Sequence, residues 1–303
     1  MKHLLSLMDI TSEEIIQLLD LADQLKKEVK EGIFKPYLKN KTLGMIFQKA
    51  STRTRVSFEV GMTQLGGYPL HLDAGTMQIG RGEPIQDTAR VLSRYLDGIM
   101  IRTFDQQDVV DLAQYGDIPI INGLTDFAHP CQVLADLQTI REHKGKLEGL
   151  KMCFIGDGNN MCNSLAVGAS KTGMSFAAAC PEGYMPDGRI IEFGKSYGDK
   201  FVLTQDPMIA AKDADVIVTD VWASMGDEDQ AQEREKVFAG IYQVNAKLMS
   251  VAKKDAMVQH CLPAHREEEI TEEIFEAHAQ EIFDEAENRL HAQKAVLVTL
   301  LKD

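Results

Sequence analysis

A run of hydroxyl and guanidinium side chains is the strongest chemical signal in the sequence. Ser51, Thr52, Arg53, Thr54 and Arg55 follow a strand-like apolar run and open a helical pattern. A helix amino terminus presents unpaired backbone N–H groups and the positive end of the helix dipole, and arginine adds bidentate hydrogen bonds to phosphate oxygens. The segment therefore predicts a site for a phosphate dianion. The alternative is an ordinary serine-capped helix with solvated arginines.

Polar side chains also follow other strand-like segments of the first half. Arg102 ends the run Ile99–Arg102, and His129 precedes Pro130 at the start of a helical pattern. The ligand crevice of an open parallel sheet lies beyond the carboxyl ends of its strands. We therefore expect Arg53, Arg102 and His129 to lie in one region. Taken singly, His129 could also be an ordinary loop residue.

The second half contains a glycine-rich turn after a strand-like run. Gly156 and Gly158 resemble the start of a dinucleotide-binding loop, but the GxGxxG pattern needs a third glycine where Met161 stands. Asn159 and Asn160 could instead offer amide donors and acceptors to an amino acid. An asparagine-rich turn without a ligand is an alternative of equal weight.

Two further strand ends of the second half carry an acidic group and a thiol. Asp220 follows Val216–Thr219 and opens a short segment containing Gly226, which suits recognition of an ammonium group by a loop. A plain surface loop is the alternative, and the following Asp227–Arg234 is expected to be solvated. Cys261 ends another strand-like run, where it could be a pocket residue or a buried structural cysteine.

These residues must be positioned by α/β elements. Apolar residues at helical spacing predict a first helix over Thr11–Glu31, with Thr11 and Glu14 as a capping box. Strand-like runs then alternate with helical patterns, which is typical of a parallel sheet flanked by helices. The predicted strands are Thr42–Phe47, Ile99–Arg102, Ile118–Ile121, Lys151–Ile155, Ser175–Ala179, Ala214–Asp220 and Ala256–Cys261, and helices are predicted to begin at Ser51, Pro84 and Pro130.

The length of 303 residues favours two domains. The polar connection Glu142–Gly149 suggests a boundary, which gives a first domain over residues 1–142 and a second over 150–285. The last run, Ala286–Leu301, is apolar over much of its surface and predicts a helix buried in the second domain or packed back on the first.

Composition excludes several classes of protein. A net charge of −14 argues against nucleic acid or an anionic membrane as a partner, because both require a basic surface. The sequence has no apolar run long enough to cross a bilayer and no secretory signal, so we expect a cytoplasmic protein. The five cysteines are scattered and lack CxxC spacing, which predicts reduced thiols and no metal site.

Five motifs taken together resemble one family. STRTR, HPCQ, NNMCNS, DVWASMG and HCLPAHR occur in this order between Ser51 and Arg266, and Glu287-Asn288-Arg289 extends the similarity into the last helical run. This set is similar to the transcarbamylases, and DVWASMG with HCLP is similar to their ornithine-specific branch. The resemblance implies two α/β domains, one for carbamoyl phosphate and one for ornithine, and a last helix, 286–303, that crosses back to the first domain. It also implies a homotrimer or a multiple of trimers, and no cofactor is expected.

The resemblance assigns roles by matching position. The residues that it implies for carbamoyl phosphate are Ser51, Thr52, Arg53, Thr54, Gln78, Arg102, His129, Gln132, Cys261, Leu262 and Arg289, with Gln78 supplied by a neighbouring subunit. Those implied for ornithine are Asn160, Asp220, Ser224 and Met225. The catalytic residues would be Thr54, Arg102, His129 and Cys261. The sequence departs from the expected pattern at Glu267, where glycine is expected, and at Cys162.

Three alternative functions stay open. The first is a transcarbamylase for aspartate, putrescine or an acylated ornithine. Asp220 suits a free α-amino group, which putrescine in effect lacks and an acylated ornithine has blocked, and aspartate would call for cationic side chains that the segment after Asp220 lacks. The second is a nicotinamide-dependent oxidoreductase, against which Met161 weighs. The third is a non-catalytic ligand-binding or partner-binding descendant, against which the complete set of polar positions weighs.

Overall fold

The structure is a computed structural model that describes residues 1–223 and 228–302. The chain divides into two compact units. Unit 1 comprises Met1–Ala135 and Asn288–Asp303, and unit 2 comprises Asp136–Glu287. Among the described helices, none combines the length and the apolar character needed to span a bilayer.

Unit 1 is built around a parallel sheet. Its strands are β1 (Thr42–Phe47), β2 (Tyr68–Asp73), β3 (Gly98–Arg102) and β4 (Ile120–Leu124), in the order β2-β1-β3-β4. Its helices are α1 (Ser12–Lys30), α2 (Thr52–Gln64), α3 (Ile85–Leu92), α4 (Gln106–Tyr115) and the start of α5 (Pro130–Lys144), with short 3-10 turns at Leu7–Asp9 and Ile79–Arg81. The predicted α/β architecture is confirmed, and the predicted capping box of Thr11 and Glu14 is present at the start of α1.

Burial explains which strands of unit 1 the sequence reveals. β3 is fully buried, and β1 is buried except for Thr42. β2 lies at the sheet edge, contains Pro69 and alternates between exposed and half-buried side chains. An edge strand needs less apolar surface and tolerates proline, so β2 lacks the apolar run by which the central strands were predicted. β4 begins and ends two to three residues later than the predicted Ile118–Ile121.

The last helix, α12 (Ala279–Leu301), begins seven residues before the predicted Ala286. Its second part belongs to unit 1, where Lys26 Nζ donates to Asn288 Oδ1 at 2.7 Å and Lys294 Nζ donates to Gln64 Oε1 at 3.0 Å. These contacts fasten α12 to α1 and α2. The prediction that the C-terminal helix packs on the first domain is confirmed.

Unit 2 contains a second parallel sheet. Its strands are β5 (Lys151–Ile155), β6 (Ser175–Ala179), β7 (Phe201–Thr204), β8 (Val216–Thr219) and β9 (Met257–His260), in the order β7-β6-β5-β8-β9. Its further helices are α6 (Asn160–Lys171), α7 (Gly188–Lys195), α8 (Pro207–Ala211), α9 (Ala231–Phe238), α10 (Ala246–Met249) and α11 (Glu272–Ala277), with 3-10 turns at Gly198–Lys200 and Glu228–Gln230. Trp222, Phe238 and Tyr242 pack together in its core.

Each sheet has one point at which its strand order reverses. In unit 1 the chain runs outward from β1 to β2 and then crosses to β3 on the other side; in unit 2 the corresponding pair is β5 and β8. Two neighbouring crossovers leave on opposite faces at such a point and open a crevice at the carboxyl ends of the strands. The predicted polar segments follow these strands.

Candidate active site

Helix α2 follows β1, with residues 48–51 between them. Ser51 is its N-cap residue, and the Ser51 Oγ accepts a hydrogen bond from the backbone N–H of Thr54 at 3.2 Å. Thr52 and Arg53 are exposed, whereas Thr54 is buried. The first turn of α2 therefore combines backbone N–H groups, the positive end of the helix dipole and an exposed guanidinium, which together favour an anion.

Arg289 of α12 joins three helices of unit 1. Its Nη1 donates to Gln132 Oε1 at 2.6 Å, and its Nη2 donates to Thr54 Oγ1 at 3.2 Å. All three side chains are more than nine-tenths buried. The structure thus brings together three of the residues that position-matching implies for carbamoyl phosphate.

Arg102 and His129 are two buried polar residues that follow neighbouring strands. Arg102 is the last residue of β3, His129 lies between β4 and α5, and their exposed fractions are 4% and 5%. Burial and the positive charges of Arg289 and Arg102 hold the pKa of His129 well below its ordinary value. His129 is therefore neutral at pH 7 and can donate one hydrogen bond without carrying charge. We call Thr54, Arg102, His129, Gln132 and Arg289 the cationic cluster.

Gln78 and Lys49 are two further polar residues of unit 1. Gln78 lies on an exposed segment after β2, and its role in a neighbouring subunit's site stays a prediction. Lys49 was not predicted, yet it is buried two residues before Ser51, with its Nζ 2.5 Å from Asp126 Oδ1 and 4.2 Å from the ring centroid of Phe104. The sequence feature that could have indicated Lys49 is its position between β1 and the run Ser51–Arg55.

Asp220 is the centre of a second cluster, in unit 2. It follows β8 and is 7% exposed. Its Oδ1 accepts hydrogen bonds from the Val221 backbone N–H at 2.8 Å and from the Cys261 thiol at 3.1 Å. Its Oδ2 accepts one from the Asn159 amide at 2.9 Å. A carboxylate has about four acceptor positions, so this one keeps capacity for a cationic donor. We call Asn159, Asp220 and Cys261 the carboxylate cluster.

Cys261 enters this cluster as a thiol. Desolvation by the surrounding protein, together with the negative charges of Asp220 and Glu285, raises its pKa well above the ordinary value. A protonated sulfur is also what the hydrogen bond to Asp220 requires. Cys261 is therefore a neutral donor at pH 7 and is not a thiolate nucleophile.

The backbone after Cys261 is held by a buried histidine. The Leu262 N–H donates to His260 Nδ1 at 2.9 Å, so the ring proton lies on Nε2, which is 2.9 Å from Glu269 Oε1. His260 and Glu269 are both buried. This chain of hydrogen bonds fixes the Leu262 backbone, which has a left-handed φ of 60°.

The Asn159 side chain contacts the central carboxylate, Asp220. The Asn159 Oδ1 caps α6 by accepting from the backbone N–H groups of Met161 at 2.9 Å and Cys162 at 3.2 Å, which leaves its amide nitrogen for Asp220. The sequence suggested Asn159 as an amide donor but assigned the substrate role to Asn160. Asn160 is the half-buried first residue of α6, and its role stays a prediction.

The glycine-rich turn after β5 is closed by the protein itself. A Cβ at Gly158 would lie 2.3 Å from the Pro186 nitrogen and 2.4 Å from the Met185 carbonyl carbon. Backbone therefore fills the space that the second glycine of a dinucleotide loop keeps open for a pyrophosphate. This packing weighs further against the nicotinamide-dependent alternative.

One expectation about solvation is wrong. Arg234, the last residue of the stretch expected to be solvated, is 9% exposed. Its Nη1 lies 2.5 Å from Asp157 Oδ2 and donates to the Trp222 carbonyl at 3.0 Å. The sequence does not indicate this role, because the residues around Arg234 are acidic and most of its neighbours on α9 are exposed. Arg234 ties the turn after β5 to the segment after β8.

The fold and these clusters define a class of protein: a two-unit α/β enzyme with a buried cationic cluster in one unit and a buried carboxylate cluster in the other. Two predicted ornithine-binding residues, Ser224 and Met225, lie outside the described residues. Most of the remaining predicted residues lie at or after the strand ends named above, whereas Gln132 lies on α5, Arg289 on α12 and Gln78 on the exposed segment after β2.

The chain belongs to the aspartate/ornithine carbamoyltransferase family. The family's carbamoyl phosphate-binding domain matches residues 2–142, and its aspartate/ornithine-binding domain matches residues 148–300. The resemblance predicted from the five motifs is confirmed.

Individual relatives match over nearly the whole chain. The ornithine carbamoyltransferase of Carboxydothermus hydrogenoformans is 58% identical over 304 residues, which cover 99% of this chain and 97% of that protein. The structure of ornithine carbamoyltransferase from Pyrococcus furiosus superposes with a TM-score of 0.93 at 52% identity, covering 99% of this chain and 97% of that one. The structure of anabolic ornithine carbamoyltransferase from Campylobacter jejuni gives 0.91 at 44% identity, with 99% of each chain covered.

Proposed function

We propose that this protein transfers the carbamoyl group of carbamoyl phosphate to the side-chain amine of L-ornithine, giving L-citrulline and phosphate. The observation that carries this proposal is the presence of both substrate-binding domains of the family, each with a buried polar cluster after the strands of its switch point. Relatives named ornithine carbamoyltransferase cover the chain almost end to end. The reaction forms a carbon–nitrogen bond and breaks the carbon–oxygen bond to phosphate, and it needs no cofactor.

Carbamoyl phosphate is assigned to unit 1. Ser51, Thr52 and Arg53 at the start of α2 would bind the phosphate through the helix amino terminus and the guanidinium. The members of the cationic cluster would surround the carbamoyl group and the bridging oxygen. Arg289 holds Thr54 and Gln132 in place through two hydrogen bonds, which favours a preformed site.

Ornithine is assigned to unit 2. Asp220 would bind the α-ammonium group, because its carboxylate is fixed by three donors and retains an acceptor position. Asn160, Ser224 and Met225 complete this proposed set. Cys261 and the carbonyl of Leu262 would orient the attacking amine toward the carbamoyl carbon.

The chemistry requires a neutral amine and a stabilised oxyanion. An amine with a pKa of about 10.4 costs roughly 4 to 5 kcal/mol to hold neutral at pH 7, so desolvation by the site must contribute. When the amine attacks, negative charge develops on the carbamoyl oxygen. Thr54, Arg102 and His129 are the proposed donors to it. Because His129 is neutral, it would act through its N–H, while Arg102 supplies the positive charge.

The assembly is proposed to be a trimer or a multiple of trimers. Val56 and Val60 of α2 and Tyr68 and Leu70 of the adjacent edge strand β2 are 50%, 38%, 64% and 37% exposed, so unit 1 presents apolar surface and an unpaired strand edge. Such a surface favours association. The neighbouring segment with Gln78 would then reach the site of the next subunit.

Subunit mixing tests the role of Gln78. Gln78→Ala and Arg102→Ala damage different residues of a site that, in this proposal, two subunits share. Mixed oligomers of the two variants are expected to contain some sites with neither change and to regain activity that each variant lacks alone. Absence of any recovery in oligomers shown by light scattering to have mixed would place Gln78 outside a shared site.

The cellular setting is also proposed. Cytoplasmic location suits the five cysteines, all of which are free thiols, because reducing compartments keep thiols in that state. The reaction would serve arginine biosynthesis or run in the reverse, catabolic direction.

The test of the proposed function is citrulline formation by the purified protein. Carbamoyl phosphate is supplied with ornithine, and parallel reactions contain aspartate, putrescine or N-acetylornithine. Turnover with ornithine alone is expected. Turnover with another amine would keep the assignment of unit 1 and overturn that of unit 2, and no turnover with any amine would contradict the proposal.

A further inference from the structure

A turn after the HCLP segment brings three metal-ligating side chains together. The turn runs from His265 to Ile270 and is closed by hydrogen bonds from the Glu268 N–H to the His265 carbonyl at 3.0 Å and from the Glu267 N–H to the Ile270 carbonyl at 2.8 Å. Ligand atoms of His265, Glu268 and Glu269 lie within 4.8 Å of one another. The turn is distinct from both the cationic and the carboxylate clusters.

The spacing in this turn matches a metal site better than a hydrogen bond. His265 Nδ1 and Glu268 Oε2 are 3.4 Å apart, longer than an ordinary N–H···O bond. Two ligands that each lie about 2.0–2.1 Å from a tetrahedral zinc ion are separated by roughly 3.3–3.4 Å. The imidazole nitrogen and the carboxylate oxygen are therefore already at the separation that a shared ion imposes.

One oxygen of the Glu269 carboxylate is a buried acceptor that a cation can satisfy. Glu269 is 0% exposed, and its Oε1 accepts from the His265 backbone N–H at 2.6 Å and lies 2.9 Å from His260 Nε2. Its Oε2 has no hydrogen-bond partner among the described residues. A desolvated carboxylate oxygen is costly unless a donor or a cation satisfies it.

The adjoining cavity can also hold a polar occupant. A cavity of about 180 Å³ is lined by Trp222, Glu235, His265 and Glu268 among others. The cavity is large enough for water molecules bound to an ion.

We propose that His265, Glu268 and Glu269 form a binding site for a divalent transition-metal ion such as Zn²⁺. One imidazole nitrogen with two carboxylates suits zinc and cobalt better than magnesium or calcium, which prefer oxygen ligands alone. Water completes the coordination from the cavity. The ion would stiffen the turn that follows Cys261 and Leu262.

A second group, Asp220, His260 and Cys261, also has ligand atoms within 4.8 Å of one another. It belongs to the substrate site already described, and both ring nitrogens of His260 are occupied by Leu262 and Glu269. The test must therefore separate the two places.

The experiment titrates Co²⁺ into the full-length, chelator-treated protein and follows its visible absorption. One ion per chain is expected, with nitrogen and oxygen ligation and no thiolate charge-transfer band. In His265→Asn and Glu268→Gln the affinity is expected to fall at least about 10-fold, because loss of a ligand costs no less than loss of its supporting contacts. Glu273→Gln removes an exposed charge of the nearby helix α11 and is the matched control; it and Cys261→Ser are expected to bind as the wild type does.

Three results would overturn the proposal: no stoichiometric binding, unchanged affinity in both ligand variants, or a thiolate band that disappears in Cys261→Ser. His265 and Glu268 are about half exposed, so both variants are expected to keep the metal-free melting temperature, which circular dichroism checks. If either variant loses its fold, the wild-type cobalt spectrum decides alone. Nitrogen and oxygen ligation supports the site, and a thiolate band or no band rejects it.

Discussion

The cationic cluster of unit 1 carries positive charge, whereas the carboxylate cluster of unit 2 carries negative charge. In unit 1, two buried arginines surround a neutral His129, and Arg289 links side chains from separate helices. In unit 2, one carboxylate gathers donors that follow β5, β8 and β9, and the thiol beside it stays protonated. The first arrangement suits a dianionic substrate and the second a cationic one. In both clusters the neighbouring histidine or thiol is neutral. The net charge therefore comes from the two arginines in unit 1 and from the one carboxylate in unit 2.

Removing the charge of the cationic cluster is expected to have the largest effect. Arg102→Ala should lower turnover by about 10²–10³-fold, because a donor to the developing oxyanion is lost. Steady-state citrulline formation measures this effect. Arg94→Ala, which removes an exposed arginine of the same unit, is the control. Near-normal turnover in Arg102→Ala would remove this residue from the chemistry.

Changing the central carboxylate should affect the other substrate. Asp220→Asn preserves the size of the side chain but loses a charge-assisted contact worth about 1.5–3 kcal/mol, so kcat/KM for ornithine should fall roughly 10- to 150-fold. The KM for carbamoyl phosphate should change little. A rise in the KM for carbamoyl phosphate alone would contradict the assignment of ornithine to the carboxylate cluster and of carbamoyl phosphate to the cationic cluster.

The backbone of unit 2 offers a smaller test. Glu267 stands where the family pattern suggests glycine and has a left-handed φ of 70°, but its Oε1 accepts from the Glu272 N–H at 2.8 Å. Glu267→Gly loses that bond and relieves the backbone, whereas Glu267→Ala loses the bond and keeps the strain. The alanine variant should be less stable than the glycine variant by about 1–2 kcal/mol in urea unfolding. Equal stabilities would show that this turn carries no strain.

The pH dependence of stability tests the neutral histidine of unit 1. The folded pKa of His129 lies below the unfolded value of about 6.5, so between the two values only the unfolded chain binds the proton. The free energy of unfolding should therefore be full above pH 6.5 and fall as the pH drops below it. This part of the loss should be absent in His129→Gln. Parallel pH profiles for the two proteins from pH 7 to 5 would contradict the assignment.

The sequence allowed the central strands and the edge strands β4 and β9 to be predicted, but not the edge strands β2 and β7. β1, β5 and β6 have the predicted bounds, because buried strands are continuous apolar runs. β2 and β7, the edge strands of the two sheets at which the strand order begins, were not predicted, since their side chains are largely half-buried or exposed. Their pairing depends on neighbours that are distant in sequence.

The functional residues likewise divide into those that the local sequence indicates and those that depend on partners distant in sequence. Residues that occupy short motifs, such as Ser51 and Asp220, could be located from local pattern. Arg234 could not, because its partners Asp157 and Trp222 become neighbours only after folding and its own surroundings in the sequence are acidic. The contact between Asn159 and Asp220 likewise joins residues 61 positions apart, so the motif could suggest an amide donor but not its partner.

The most direct test of the central claim is the binding of phosphonoacetamide, a stable analogue in which a methylene replaces the bridging oxygen of carbamoyl phosphate. Calorimetry would compare the wild type, Arg102→Ala and Asp220→Asn without ornithine. The account predicts equal affinity for the wild type and Asp220→Asn, and at least about 10-fold weaker binding by Arg102→Ala, which loses a charged hydrogen bond of about 1.5–3 kcal/mol. Weaker binding by Asp220→Asn with normal binding by Arg102→Ala would contradict the assignment of the two substrates to the two units.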